Sequence, residues 1–187
     1  MNTPEASPEP GPQAPWRGGV DGQPHADRLV VVDSPVELAQ IYDDDVVAVV
    51  WRGALVADLA TLPGPQGRFV LEVGDVPAVL TLGSLLAVVE VFASLADTGH
   101  VGVRWRTLLA PMCPRWHVDQ VELRGCVTLR GPGTELQIDG ATITTNVGDL
   151  VVMKGTRLHA RGCRHRSPAQ EGDSDGDRVV VTFDCAS

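Results

Sequence analysis

Cys113-Pro114-Arg115-Trp116-His117-Val118-Asp119 is the stretch on which the fold of this chain turns, taken with His165-Arg166-Ser167-Pro168 and with Arg178. His117 and Asp119 stand two apart. On a β-strand that spacing puts both side chains on one face, because side chains alternate with period two. His165 offers a third ligand from a strand much later in the chain. Two histidines and one carboxylate gathered on one face of a β-barrel form the facial triad of non-heme Fe(II) sites, which leaves coordination positions open for substrate and oxygen. Arg178 heads the apolar run Val179-Val180-Val181-Thr182-Phe183. A guanidinium there can hold a carboxylate through two parallel hydrogen bonds. Each residue also has a structural reading: a core histidine beside Trp116, and an ordinary arginine at a strand edge. Order and context set the metal reading beside the structural one. His-x-Asp opens a strand, Gly148-Asp149 makes a turn, a late histidine follows, and an arginine enters the last strand.

Working outward, Gln120–Leu129 and Val101–Leu109 alternate as strands do, and Gly131-Pro132-Gly133 between the later strands is a turn. Short strands are predicted at Glu135–Ile138, Ala141–Thr144 and Leu150–Met153, with a last one from Arg178 to about Asp184. On that last strand Arg178, Val180 and Thr182 share one face and would line a pocket, while Val179, Val181 and Phe183 share the other. Nearer the N-terminus, Ser34-Pro35-Val36-Glu37 reads as a capped helix start running to about Tyr42, between the apolar runs Leu29–Val32 and Val46–Trp51. A possible short strand covers Phe69 to Val73, within turn chemistry spanning 61–78. A longer helix from Ser84 to Leu95, stopped by Gly99, would pack against the sheet. The predicted class is α+β to mainly β: a double-stranded β-helix (jelly-roll, cupin-like) barrel with an N-terminal α/β portion and one longer packing helix. Residues 1–28 are Pro/Gly-rich and predict a disordered tail, leaving 29–187 as a single barrel-containing domain.

The 187 residues are 43% apolar, enough for one globular domain with a sizeable core. The net charge of −9 is unevenly spread. Residues 33–100 hold two basic and ten acidic residues, and residues 101–187 hold eleven basic and ten acidic. Arg157, Arg161, Arg164 and Arg166 cluster around His165, either as a solvated loop or as a mouth that draws in an anionic substrate. The acidic balance argues against nucleic acid as a partner and leaves a small-molecule or anionic substrate. The apolar stretch from Leu80 to Ala96 is interrupted by Thr81, Gly83, Ser84, Glu90 and Ser94, and no basic-then-apolar leader opens the chain. The expectation is a cytoplasmic protein without a membrane partner, with Cys113, Cys126, Cys163 and Cys185 as thiols or ligands rather than disulfides.

Cys-Pro-Arg-Trp-His-Val-Asp at 113–119, Gly-Pro-Gly-Thr-Glu at 131–135 and His-Arg-Ser-Pro at 165–168 resemble the signature blocks of bacterial proteins grouped as domain of unknown function 1826. Asp33-Ser34-Pro35 and Val50-Trp51-Arg52 are similar to that family's opening segment. The resemblance covers about 30 to 185. It implies the extent of the domain and the choice of His117, Asp119 and His165, and it names no reaction. More distantly, His117-x-Asp119, His165 and Arg178 resemble the Fe(II)- and 2-oxoglutarate-dependent oxygenases. That resemblance implies iron on the three ligands and the distal carboxylate of 2-oxoglutarate on Arg178. The long acidic loop at 171–177 departs from it. So does His159, which lies where many such barrels place the late ligand and is the alternative third ligand.

Other chemistry competes. Cys113, His117, Cys163 and His165 could make a tetrahedral zinc set, although neither pair has zinc-finger spacing. That would make the protein a non-catalytic zinc-binding or regulatory protein on the same barrel. A barrel serving only as an interaction module is the third reading. Cys126 and Cys185 read as small core residues. Gly131-Pro132-Gly133-Thr134 lacks the Lys-Ser/Thr ending of a phosphate loop and reads as a tight turn. Lys154, the one lysine, reads as a snorkelling edge residue.

Overall fold

Leu29–Val32 and Val46–Trp51, the first two apolar runs, lie side by side in parallel at one edge of a large sheet. The computed structural model describes residues 26–55, 66–72, 83–169 and 177–186. Among them the elements are β1 (Arg28–Val32), a 3₁₀ helix (Pro35–Tyr42), β2 (Val46–Trp51), β3 (Gln66–Glu72), α1 (Gly83–Leu95), β4 (His100–Leu108) and β5 (Leu123–Arg130). There follow β6 (Glu135–Ile138), β7 (Ala141–Thr144), β8 (Leu150–Lys154), β9 (Arg164–Arg166) and β10 (Arg178–Cys185). A seven-stranded sheet runs β1-β2-β8-β5-β10-β4-β3, and a three-stranded sheet runs β7-β6-β9. The protein is thus mainly β, with two sheets and two helices among the described residues.

The strands β2, β8 and β10 are apolar almost throughout because both faces of the large sheet are covered. On the outer face, Leu85, Val88, Val89 and Phe92 of α1 recur at helical spacing and join Leu38, Ile41, Val101, Val103, Val181 and Phe183 in one core. Each such side chain, fully buried, contributes about 1.5–3 kcal/mol. On the inner face, Val47, Val50, Val151, Met153 and Val180 meet Leu136 and Ile138 of the small sheet. The two faces of β10 divide as its alternation predicts: Val179, Val181 and Phe183 go to the outer core, and Val180 goes to the inner one. The β6–β7 hairpin turns through Asp139 and Gly140, both at positive φ (47° and 81°), the backbone an Asp-Gly hairpin turn requires.

Several expected boundaries move, each for a local reason. The segment after Ser34 is 3₁₀ rather than α-helical, with Ser34 extended and its side chain making no cap. Glu37 N–H bonds the Ser34 carbonyl at 3.2 Å and Asp43 N–H bonds that of Gln40 at 3.1 Å, the i→i+3 pattern of 3₁₀ turns. The helix α1 stops before Gly99: Asp97 takes the left-handed position (φ 47°), with Thr98 N–H bonding Ala93 C=O at 3.1 Å and Asp97 N–H bonding Ser94 C=O at 3.4 Å. This is a Schellman ending with aspartate in glycine's usual place. The strand β1 begins at Arg28, one residue inside the expected tail. The rest of that tail (1–25), most of the turn chemistry of 61–78 and the acidic loop at 171–176 lie outside the described residues. No described helix is long and apolar enough to cross a membrane.

Candidate metal centre and its anion pocket

His117, Asp119 and His165 each offer a ligand atom, and these atoms lie within 4.8 Å of one another. The convergence does not come from a strand beginning at His117. That residue makes one isolated antiparallel bridge, to His165. Its N–H donates to the His165 carbonyl at 3.1 Å, and the His165 N–H donates back at 2.9 Å. The two rings lie 4.4 Å apart. Residues 119–122 stay out of β5 because a turn after β8 takes their backbone carbonyls. The N–H groups of Gly155, Thr156 and Arg157 donate to Glu122, Asp119 and Val121 at 2.8, 2.9 and 3.1 Å. A Cβ on Gly155 would stand 2.1 Å from the Val121 carbonyl oxygen and 2.8 Å from that of Asp119, so glycine is what lets this turn clasp the ligand segment.

The imidazoles are oriented by carbonyls. Nδ1 of His117 is 2.9 Å from the Arg115 oxygen, and Nδ1 of His165 is 3.1 Å from the Cys163 oxygen. A carbonyl only accepts, so each Nδ1 carries the hydrogen, and a ring in its neutral form presents a bare Nε2. Those Nε2 atoms face Asp119, at 3.8 Å for His117 and 3.6 Å for His165. Burial pushes His165 below the usual imidazole range, which favours its neutral form. Two lone pairs turned toward a carboxylate repel one another unless a cation stands between them. The donor chemistry therefore fits a divalent metal.

Burial pushes the Asp119 carboxyl up, but the Arg124 guanidinium outweighs it, and the group lies below the ordinary carboxylate range. Arg124 is the main reason. Its Nε donates to Asp119 Oδ2 at 2.7 Å, and its Nη1 donates to Asp184 Oδ2 of β10. The guanidinium thereby ties the ligand segment to the sheet and occupies one carboxylate oxygen. Burial draws Arg124 down, yet its two acids keep it above its ordinary value.

Arg178 lies 4% exposed at the start of β10. Its Nε donates to the Pro132 carbonyl at 2.9 Å, and Nη1 to Ser167 Oγ at 3.3 Å. Nη2 donates to Thr134 Oγ1 at 2.9 Å and Thr128 Oγ1 at 3.4 Å. Every partner among the described residues is neutral. The adjacent acid, Asp177, faces Arg130 instead, at 3.8 Å. Burial draws the Arg178 guanidinium below its ordinary value. The turn Gly131-Pro132-Gly133-Thr134 cradles Arg178, with a Cβ on Gly131 falling 3.0 Å from the Arg178 Cα. One cavity of about 170 Å³ is lined by the three ligand residues, Arg178, Thr182 and the apolar Val180 and Met153.

Other candidates fall elsewhere. His159 accepts the Gly162 N–H on Nδ1 at 3.2 Å, inside the turn after β8, and is not in the convergent group. The zinc set is not assembled: neither Cys113 nor Cys163 belongs to that group. Cys163 is buried in the inner core, where burial pushes its thiol up to about 12. A soft thiolate ligand needs the opposite shift. Cys126 is a core residue as expected, but Cys185 is exposed at the end of β10. Arg157, Arg161 and Arg164 are exposed and do not line the cavity; Arg161 pairs with Asp27 at 2.9 Å. Arg166 alone of that cluster reaches it, bound to Glu135 and stacked 4.4 Å over Trp116. Lys154 is buried and donates to the Asp43 carbonyl at 2.7 Å, a structural clasp on the acidic turn. Sequence reasoning passed over Arg124, Thr128, Thr134 and Ser167. Of these, Ser167 was marked by its place in the His-Arg-Ser-Pro block, while Arg124 carried no local signal.

By sequence, no curated protein matches the chain. Among solved structures, the fold is similar to a Pseudomonas putida prolyl-4-hydroxylase at 11% identity, with 82% of this chain and 100% of that one covered and a TM-score of 0.54. It is similar also to AtDAO1, the dioxygenase for auxin oxidation 1 of Arabidopsis thaliana, in its 2-oxoglutarate complex. There the identity is 9%, the coverage 86% of this chain and 92% of that one, and the TM-score 0.52. At these identities the likeness is one of fold. The family model described as protein of unknown function (DUF1826) matches residues 81–184, which hold the triad, Arg124 and Arg178, and the chain belongs to that family.

Proposed function

We propose that the protein is a non-heme Fe(II)- and 2-oxoglutarate-dependent oxygenase whose two sheets are the opposing walls of a double-stranded β-helix barrel. One observation carries this reading: Arg178 is buried in the same cavity as His117, Asp119 and His165, and its described partners are all neutral. A buried guanidinium without an anion is unfavourable, and a carboxylate from a dicarboxylate cosubstrate supplies that anion. The fold's likeness to an oxygenase solved with 2-oxoglutarate supports the same choice.

In this reading His117 and His165 hold the metal through Nε2 and Asp119 through its carboxylate. Iron(II) with 2-oxoglutarate would supply the activation of dioxygen for oxidising a substrate bond. The chain's own residues do the positioning. Ser167, Thr128, Thr134 and the Pro132 carbonyl aim the Arg178 fork. Arg124 keeps Asp119 ionised. Val180 and Met153 shield the cavity from bulk water, which strengthens each charge interaction inside it.

The test is 2-oxoglutarate binding to protein loaded anaerobically with Fe(II). Binding should raise the melting temperature by mass action, by about 2.7 kcal/mol of stability at a hundredfold excess over Kd. Arg178→Ala should abolish that shift and leave metal binding intact. Arg178→Lys should rescue it in part, since lysine keeps the charge and loses the fork. His117→Ala and Asp119→Ala should lower metal affinity sharply, while His159→Ala leaves it unchanged. Absence of 2-oxoglutarate binding in the metal-loaded wild type would defeat the oxygenase reading and leave the metal site standing.

A further inference from the structure

The inner face of the large sheet continues past the cavity onto β4 and β3, and it carries arginine there. Residues directly paired across antiparallel strands share a face. Thr182 of β10 pairs with Arg104 of β4, and Arg104 pairs with Arg68 of β3. In the next row Val180 pairs with Arg106, and Arg106 with Gln66. Thr182, Arg104, Arg68, Arg106 and Gln66 therefore form one patch running from the cavity to the sheet edge. Arg104 is half-buried and lines the cavity that holds the triad and Arg178. It also lines, with Arg68, an adjoining cavity of about 230 Å³.

The patch is short of counter-charge among the described residues, with Asp184 the one acid lining its outer cavity. Neither Arg104 nor Arg68 has a hydrogen-bond or ion-pair partner among the described residues. Arg106 meets only the thioether of Met112, at 3.0 Å. Asp184, one row behind opposite Gly102, lines the cavity of about 230 Å³ with Arg68 and Arg104, and Arg124 already holds one of its two oxygens. Like charges directly opposed across a strand pair repel. Arg68, Arg104 and Arg106, neighbours on one sheet face, are stabilised by an anion lying among them, and arginine's planar fork suits carboxylate and phosphate alike.

We propose that this patch binds the anionic headgroup of the substrate, a carboxylate or a phosphate, with Arg104 as the principal contact and Arg68 and Arg106 beside it. As a substrate site it rests on the oxygenase reading; as an anion site it stands on the arginine patch alone. The substrate is then a small organic anion. Its headgroup lies over β4 and β3, and the rest of the molecule passes Thr182 into the cavity shared with His117, Asp119 and His165.

The experiment uses the full chain, loaded anaerobically with Mn(II) and saturated with 2-oxoglutarate so that Arg178 is occupied. Inorganic phosphate and, separately, acetate are titrated calorimetrically at low ionic strength. The expected result is one saturable anion site per chain, with the tighter probe naming the headgroup. Arg104→Gln should weaken it at least tenfold, Arg68→Gln and Arg106→Gln several-fold, and Arg104→Lys to an intermediate degree. The 2-oxoglutarate affinity should stay within twofold. In anion-free buffer Arg104→Gln should also raise the melting temperature, because it relieves repulsion; a merely structural arginine would lower it. The double variant Arg68→Gln/Arg106→Gln repeats the test if Arg104→Gln does not fold. Failure of both probes to bind, or binding that Arg104→Gln leaves intact, overturns the proposal. Phosphate or acetate binding that depends on Arg104, in a protein that does not bind 2-oxoglutarate, upholds the anion site and removes the oxygenase reading.

Discussion

Arg124 does more for the centre than its place outside the ligand set suggests. It holds one oxygen of Asp119 while reaching Asp184 on the last strand, so the ligand carboxylate is fixed in both charge and direction. Groups that orient ligands in this way typically change metal affinity by about 10–100-fold when removed. Arg124→Leu should therefore weaken metal binding by that order, and calorimetric titration of the metal-free protein would check it. The apolar substitution leaves Asp184 accessible to water but strands Asp119, half-buried, without a cation. Cys163 makes a second residue-scale prediction. Its thiol is pushed from the ordinary 9.0 up to about 12 by burial. The folded state therefore keeps a proton that the unfolded chain releases. Stability is full below about pH 9 and falls as pH rises toward 12, because there the unfolded state binds fewer protons. Denaturation across that window should show the loss, and Cys163→Ala should flatten it. Exposed Cys185 should alkylate in the native protein while Cys163 does not.

The outer core depends on how closely β5 approaches α1. The Phe92 and Phe183 rings stack with centroids 5.9 Å apart. Gly125 lies beneath both, and a Cβ there would come 2.8 Å from a Phe183 ring carbon and 3.0 Å from one of Phe92. Both rings are wholly buried, so neither can move without opening a gap elsewhere. Gly125→Ala should cost about 1–3 kcal/mol, the usual range for overpacking, and urea denaturation would measure it. The same close approach explains why a glycine interrupts β5 at a position where the strand pattern alone would favour a β-branched residue. On the inner side, the equivalent element-scale device is the turn of Gly155, whose three backbone hydrogen bonds clasp residues 119–122.

At the scale of the molecule, the two faces of the large sheet differ in what they carry. The outer face of the large sheet makes the main core with the helices, and the inner face carries Arg178 and the arginine patch and looks toward the triad, whose His165 comes from the small sheet. Among the described residues the N-terminal segment enters the sheet at Arg28, whose N–H and side chain bond Asp45 and Asp43. Removing residues 1–25 should leave the melting temperature within a few degrees, since the segment offers little apolar surface. A cut after Arg28 should destabilise more, because it takes those bonds from the first strand. Differential scanning calorimetry of the two truncations would separate the cases, and a large fall with the shorter cut would show that the tail docks.

Period-two and helical patterns in the sequence were enough to place the strands around Ala141–Thr144, Leu150–Lys154 and Arg178–Cys185, and the helix ending at Leu95, because local side-chain alternation dictates which face is buried. The pairing of a His-x-Asp with a late His and a strand-heading Arg was legible for the same reason: residue type and order are written in the chain. What pattern could not decide was how separate segments meet. His117 and Asp119 do not share a strand face; one bridge to His165 and one turn through Gly155 bring them together. His165 rather than His159 stands at the centre because it lies opposite that bridge. The neutrality of the surroundings of Arg178, the Arg124 clamp and the row Thr182–Arg104–Arg68 all depend on strand register. Register is a property of pairing between strands distant in sequence, set by how both faces of a sheet are covered, and it exists only once the tertiary structure has formed.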